Sequence, residues 1–387
     1  MKYNFYLLLF VVLFFLTGCW SSVEINDNAF VTAVFIDQGK DGNVELTLGF
    51  PLPSRMVPGN LGGQVEGNIY TTVTHEAENV AAAYRKIQSD ITRHISWGHT
   101  RIIVFSEEFA KNGVYEPLEF FSRQPAFHSK SLVLIAPGKA IDITKLTPAF
   151  ERFPAEVLHK FIQQEVTVRT TVADFLRVYY YGGNMLAPML TVGEEPMLSE
   201  EQKVRTWVGT GGAALFRKGK MVDELSEQDM RGALWFERIT RESVITIDSF
   251  TDGKPISIIV LDSVIKKNPI IKENNQLGFQ LEIKVKDDLL SVDSEINISD
   301  PSTLTKLEVE IAKALEDRIQ SAFQKTQEIG ADVFNLGEYF EWYHPNEWKE
   351  LKDDWPEHYK NIELESKITI KIKRPGATKR PLWEENR

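Results

Sequence analysis

The chain has 387 residues, 43% hydrophobic and 26% charged, a balance that suits an ordinary globular protein of two or three domains. Its formal charge of -11 argues against nucleic acid as a partner and against adhesion to anionic lipid by charge alone. One cysteine, Cys19, allows no disulfide framework, so the fold must rest on burial of apolar surface.

The start reads as an export signal. Lys2 gives a positive beginning, Phe5 to Leu16 form an apolar run, and Leu16-Thr17-Gly18-Cys19 closes it with small residues. The run is shorter than the roughly 20 apolar residues that span a bilayer. Leu16 to Cys19 looks like a bacterial lipobox. Residues 1–18 are then a lipoprotein signal peptide, cut between Gly18 and Cys19, and the Cys19 thiol carries a diacylglyceryl group. An ordinary secretory signal with an incidental cysteine is the other reading. It would leave a lone, oxidisable thiol on an exported protein.

From 20 to 141 strands and helices alternate. Phe30 to Ile36 and Val44 to Phe50 read as a hairpin across Gly39-Lys40-Asp41-Gly42, and Pro51 to Gly67 as a mobile loop. Val80, Tyr84, Ile87 and Ile91 predict a helix over Glu76 to Ile91. A strand at Thr100 to Phe105, a helix from Glu107 to Phe121 and a strand at Ser131 to Ile135 follow.

A middle domain, 142–236, opens with helices near Glu151 to Gln164 and Val172 to Tyr181. Extended segments come next at Ala187 to Val192 and Val204 to Phe216, then a turn at Lys218-Gly219-Lys220 and a helix through Glu227 to Phe236.

The third domain, 237–376, has strands with one wet face at Leu281-Ile283-Val285 and Ile368-Ile370-Ile372. Asp300 and Pro301 begin a long amphipathic helix carrying Leu304, Leu307, Ile311, Leu315, Ala322 and Phe323 on one side and ending at Gly330. That helix should lie across the sheet. Residues 377–387 form a tail. The fold class expected is mixed α/β to α+β: three domains of mixed sheets covered by helices, with an antiparallel-rich C-terminal sheet.

Catalytic constellations are missing from the sequence: it has no nucleophile elbow, zinc helix or phosphate loop. No catalytic residue, cofactor or metal ligand is expected. His94 and His99, with His75 or His128, are better read as dispersed surface residues. Gly209-Thr210-Gly211-Gly212 reads as a strand passing close to another backbone rather than a dinucleotide turn. Tyr179-Tyr180-Tyr181 and Trp342, Trp348 and Trp355 read as packing rather than sugar stacking. Glu194-Glu195 and Asp353-Asp354 are adjacent residues whose side chains diverge, so neither pair makes an acid/base dyad.

Cys19-Trp20, Glu24-Ile25-Asn26-Asp27, Ile36-Asp37, Asp41-Gly42 and Glu45-Leu46-Thr47 resemble the opening of the Ger(x)C family of spore germination lipoproteins. Arg231-Gly232-Ala233-Leu234-Trp235 and the run from Trp355 through Tyr359 to Gly376 extend the likeness over most of the chain. Ser21, where an acidic residue is usual, and Ser122-Arg123-Gln124-Pro125 depart from the pattern and bear on subtype.

The resemblance implies a C subunit of a germinant receptor, anchored by Cys19 to the outer face of the inner spore membrane. It implies integral membrane A and B subunits as partners, no enzymatic activity and no cofactor beyond the lipid. The alternative is the solute-binding lipoprotein of a transporter, which would carry a ligand cleft between similar lobes.

Overall fold

The computed structural model describes residues 24–52, 69–146, 151, 153–179, 182–196, 204–237 and 243–374. The signal peptide, Cys19, most of the 51–67 loop and the 377–387 tail lie outside the described residues.

The first short strand, β1 (Asn28–Phe30), runs parallel to β5 (His94–Ser96) apart from the main sheet. β2 (Ala33–Gln38) and β3 (Val44–Pro51) pair antiparallel as the turn at 39–42 predicts, with Asp41 in the left-handed region at φ 52. β4 (Tyr70–Ala77) adds to β3 as an edge strand. It replaces the first turn of the helix expected from Glu76. The helix α1 (Val80–Asp90) starts later because the Asn79 side chain accepts from the Ala82 amide at 2.8 Å and caps it.

β6 (Ile102–Ser106) and β7 (Leu132–Ala136) are buried along their whole length and run parallel, as continuous apolar runs do at the centre of a covered sheet. Between them the single helix expected over 107–121 is two helices, α2 (Glu107–Asn112) and α3 (Tyr115–Ser122). Gly113 separates them at φ 133, a conformation that other residues rarely adopt. After β7 come α4 (Pro154–Gln163) and α5 (Val172–Val178), the latter closed by a reciprocal capping box between Thr171 and Asp174.

β8 (Met185–Pro196), β9 (Val204–Arg217) and β10 (Lys220–Leu225) extend this sheet through a β7–β8 contact, giving eight strands in the order β10-β9-β8-β7-β6-β2-β3-β4. The 142–236 stretch therefore supplies three strands to the sheet begun by 20–141. One core cluster packs α1, α2, α3 and α5 on one face, and a second packs α4 and the turn at Ala140–Lys145 on the other. Asp37, in the Ile36-Asp37 pair, holds that turn: its carboxylate accepts from the Ala140 amide at 2.6 Å and the Ile141 amide at 3.0 Å. Burial raises its pKa and the two amide donors oppose the rise.

The C-terminal sheet has four strands, β11 (Val244–Asp248), β12 (Pro255–Ile271), β13 (Leu277–Val292) and β14 (Glu363–Arg374) in that order. The first three are antiparallel and β14 is parallel to β13. The long helix forms as expected: α7 (Pro301–Ile329) has Asp300 accepting from the Ser302 and Thr303 amides and ends at Gly330. Leu307, Ile311, Leu315, Ile319, Ala322 and Phe323 are buried against the sheet. Short helices α8 (Leu336–Tyr343), α9 (Pro345–Leu351) and α10 (Trp355–Lys360) lead into β14.

α6 (Glu227–Glu237) joins the two sheets by packing on α7. Gly232 makes this possible, since a Cβ there would stand 2.3 Å from the Arg318 carbonyl oxygen. Gly232→Ala is expected to destabilise by about 1–3 kcal/mol through overpacking. The measurement is the denaturant midpoint at constant slope; an unchanged midpoint would show that the helices separate freely.

Candidate functional site at the junction of the two sheets

The apolar core that holds α7 also contains Leu186 of β8 and Leu215 of β9, so the two sheets share buried surface. Polar groups line the same seam. Asp229 of α6 accepts from Ser321 Oγ at 2.7 Å and Lys325 Nζ at 2.5 Å, both on α7, and bonds Ser226 Oγ at 2.5 Å. Burial alone would raise its pKa, but the Lys325 ammonium and the serine hydroxyls outweigh burial and hold it low.

Just past the C-terminal end of α7 the chain turns through Asp332, which is buried. Its carboxylate accepts from the Leu336 and Gly337 amides and from Trp355 Nε1, each at 2.8 Å. One side chain thereby satisfies the otherwise unpaired, buried amides at the start of α8 and pins α10 against it. Burial raises the Asp332 pKa, against the pull of these three donors. Nearby, Arg217 Nη1 donates to the Ile329 carbonyl at 3.1 Å, and Arg177 Nη1 to Glu338 Oε1 at 3.1 Å.

Two cavities open along this seam. One, of about 370 Å³, lies between Asn184, Arg217 and Lys218 on the first sheet's side and Trp348, Asp353 and Trp355 on the other. The second, of about 360 Å³, is lined by Arg177, Lys267 and Trp342 among others, and shares Asn335 and Glu338 with the first. Lys267 stands 5.5 Å from the Tyr339 ring centre, and burial lowers its pKa.

The structure does not gather the histidines: among the described residues no group of three or more His, Cys, Asp and Glu could hold a metal. His75 bonds Asp90 at 2.5 Å, His94 is exposed on the half-buried β5, and His99 packs edge-on to Phe30 at 4.6 Å. Gly209 to Gly212 lie within β9, where a Cβ on Gly212 would meet the Leu225 carbonyl oxygen at 2.3 Å. This is a close strand approach and not a helix-opening turn. Glu195 pairs with Arg205, and Asp353 and Asp354 are exposed on the turn before α10.

The aromatic residues divide. Tyr179 meets Tyr115 edge-on at 5.0 Å, whereas Tyr180 and Tyr181 lie outside the described residues. Trp355 is buried and meets Trp348 edge-on at 5.0 Å, while Trp342 is 63% exposed. Sequence reasoning missed Asp229 and Asp332 as organising residues. The available signal was a lone acid shortly before an apolar helical run, as in Asp332-Val333-Phe334-Asn335-Leu336.

Fold and seam together define an α+β protein whose two sheet-bearing units share a core and a polar junction. The chain belongs to the spore germination protein family: the family's N-terminal domain matches residues 21–192, and the "Spore germination B3/ GerAC like, C-terminal" domain matches 211–376. It is 24% identical to spore germination protein KC of Bacillus subtilis over 95% of this chain and 94% of that one. It is 25% identical to spore germination protein B3 of the same organism, over 94% and 96%. GerQC of Bacillus cereus is 22% identical over 96% and 99%.

The crystal structure of the GerBC protein shares the fold, with a TM-score of 0.56 at 20% identity over 88% of this chain and 96% of that one. None of these relatives bears the name of an enzyme. No described helix is long and apolar enough to cross a membrane.

Proposed function

We propose that this chain is a non-enzymatic C subunit of a nutrient germinant receptor. Cys19 anchors it on the outer face of the inner spore membrane, beside integral membrane A and B subunits. The observation that carries the reading is the order of features: a lipobox-like Leu16-Thr17-Gly18-Cys19, then both family domains in sequence across residues 21–192 and 211–376.

The physical role of the lipid is confinement. Each buried methylene contributes about 0.8 kcal/mol, and two chains on one thiol hold where a single one is marginal. Tethering raises the effective concentration of the body near its membrane partners, so modest interfaces stay occupied. The two packed sheets then serve as a rigid body for contact, with no bond made or broken.

Cys19→Ala at native expression is expected to move the protein from the membrane to the soluble fraction and to weaken co-purification with the A and B subunits by roughly 10²-fold. Mass spectrometry of the unaltered chain should find a diacylated N-terminal cysteine. Membrane retention of the Cys19→Ala protein, or an unmodified wild-type N-terminus, sinks the anchor. Full co-purification without the thiol sinks the confinement role.

A further inference from the structure

We propose that the end of the first sheet where β2, β6 and β7 begin lies against anionic phospholipid headgroups, so that the body stands on the bilayer in one orientation. This rests on the Cys19 anchor of the proposed function and adds which face that anchor presents. The described chain begins at Glu24, five residues after Cys19, and five residues span at most about 18 Å. From there Ile25–Asp27 and β1 lead directly into β2. A tether this short keeps the start of β2 close to the lipid.

Backbone bonds gather the neighbouring loops at the same end. β1 runs beside β5, the Arg101 amide donates to the Thr32 carbonyl at 3.0 Å, and the Leu132 amide donates to the Arg101 carbonyl at 2.8 Å. The segments entering β6 and β7 therefore flank the segment entering β2, and they expose Arg93, His94, His99, Arg101, His128 and Lys130. Among the described residues Arg93, Arg101 and Lys130 form no ion pair. Two acids nearby are already engaged, Asp90 by His75 and Glu119 by Arg123. Glu24 and Asp27 remain against the three fixed cations, which leaves this end positive on a chain whose formal charge is -11.

The opposite end of the sheet has the other sign. Glu108, just after β6, and Glu194, near the far end of β8, are exposed and form no ion pair among the described residues. An anionic surface attracts the first end and repels the second, and each Lys or Arg within a Debye length of it adds to the attraction. Charge alone would not hold so acidic a body on lipid. Once the anchor has brought it there, a small bias is enough to decide which face turns to the headgroups.

The test uses the full chain with its lipid on Cys19, reconstituted in vesicles of phosphatidylglycerol and phosphatidylcholine and collected by flotation. With Cys19 acylated, Ser129→Cys or Gly138→Cys supplies the one free thiol for a fluorophore. The first lies at the proposed face and the second beyond the opposite end of β7, where an added Cβ meets nothing within 4 Å. A quencher carried on the lipid headgroups should quench the probe at 129 about threefold or more over the probe at 138. Combining Arg93→Glu, Arg101→Glu and Lys130→Glu should cut that contrast by about half or more, with flotation and thermal midpoint unchanged. Vesicles of phosphatidylcholine alone, or about 0.5 M salt, should do the same to the unaltered protein.

Equal quenching at the two positions in floating protein overturns this proposal and leaves the anchor standing. So does a contrast that survives both charge reversal and neutral lipid, or one that appears only when the A and B subunits share the vesicle, which would put a protein on this face. Protein that does not float has no tether, and overturns the anchor and this placement together.

Discussion

Asp332→Ala is expected to destabilise the C-terminal unit by about 3–5 kcal/mol, because three buried N–H donors lose their shared acceptor. The substitution leaves the Leu336 and Gly337 amides and Trp355 Nε1 without their acceptor, inside a cluster where Trp355 packs on Phe340 and Tyr359. Each orphaned buried donor costs about 1–3 kcal/mol, and partial entry of water tempers their sum.

Asp332→Asn should recover part of the loss, since its amide oxygen still accepts while its NH₂ faces a donor. Denaturant unfolding followed by tryptophan fluorescence reads both. The Asp332→Ala protein should also show a red-shifted native spectrum, because Trp355 and Trp348 lose their fixed edge contact. A loss below about 1 kcal/mol would mean that water already serves these donors.

What the sequence showed best were features with strong local periodicity or local caps. Asp300, Pro301 and Gly330 bracket α7 in the structure as their residue types predict, and the buried stripe follows the one read from spacing except that Leu304 is only half-buried and Ile319 joins it. The hairpin of β2 and β3, the buried strands β6 and β7, and the alternating β13 and β14 emerge for the same reason. Each has a period that a single sequence displays.

The misses share a different cause. β4 is rich in threonine and only half-buried, so it has no apolar alternation, and its pairing with β3 across the intervening chain decides its state. Gly113 alone split the helix expected over 107–121, a backbone effect with no trace in the apolar pattern.

The seam was hidden for the same reason. Asn184, Arg217 and Asp332 come together only through packing of α6 on α7 and of α10 beneath α8, contacts far apart in the chain. Local reading can label Asp332 a cap. It cannot see Trp355 arriving from a later helix to share the same carboxylate.

Stability is expected to fall as pH rises from about 4 towards 7 because of Asp287, and Asp287→Asn should abolish that slope. Asp287 faces inward from β13, fully buried, and neither carboxylate oxygen has a partner. Burial, then the charges of Asp288 and Glu308, push its pKa up to about 7. The cations nearby are already engaged: Arg374 lies 2.8 Å from Asp288, and Lys371 lies 3.3 Å from Glu308. Glu308 also accepts from the Ile372 amide at 3.0 Å, and the register partners of Asp287 itself are Val260 and Ile372, which offer no charge.

The sign follows from where the proton sits. Between the unfolded value near 3.8 and the folded value near 7, the folded chain keeps a proton that the unfolded chain releases. Raising the pH therefore favours unfolding across that window, and the contribution is complete only below it. At pH 8 the accumulated difference is at most about 4 kcal/mol, from roughly 1.4 kcal/mol for each unit of pKa. Asparagine keeps the shape and never ionises, so the two proteins should match near pH 4, and the variant should pull ahead steadily as the pH rises. Denaturant midpoints taken from pH 4 to pH 9 give the comparison. Parallel curves for the two proteins would falsify the assignment and show that Asp287 is ionised throughout, held by water that reaches the bulge beside Asp288.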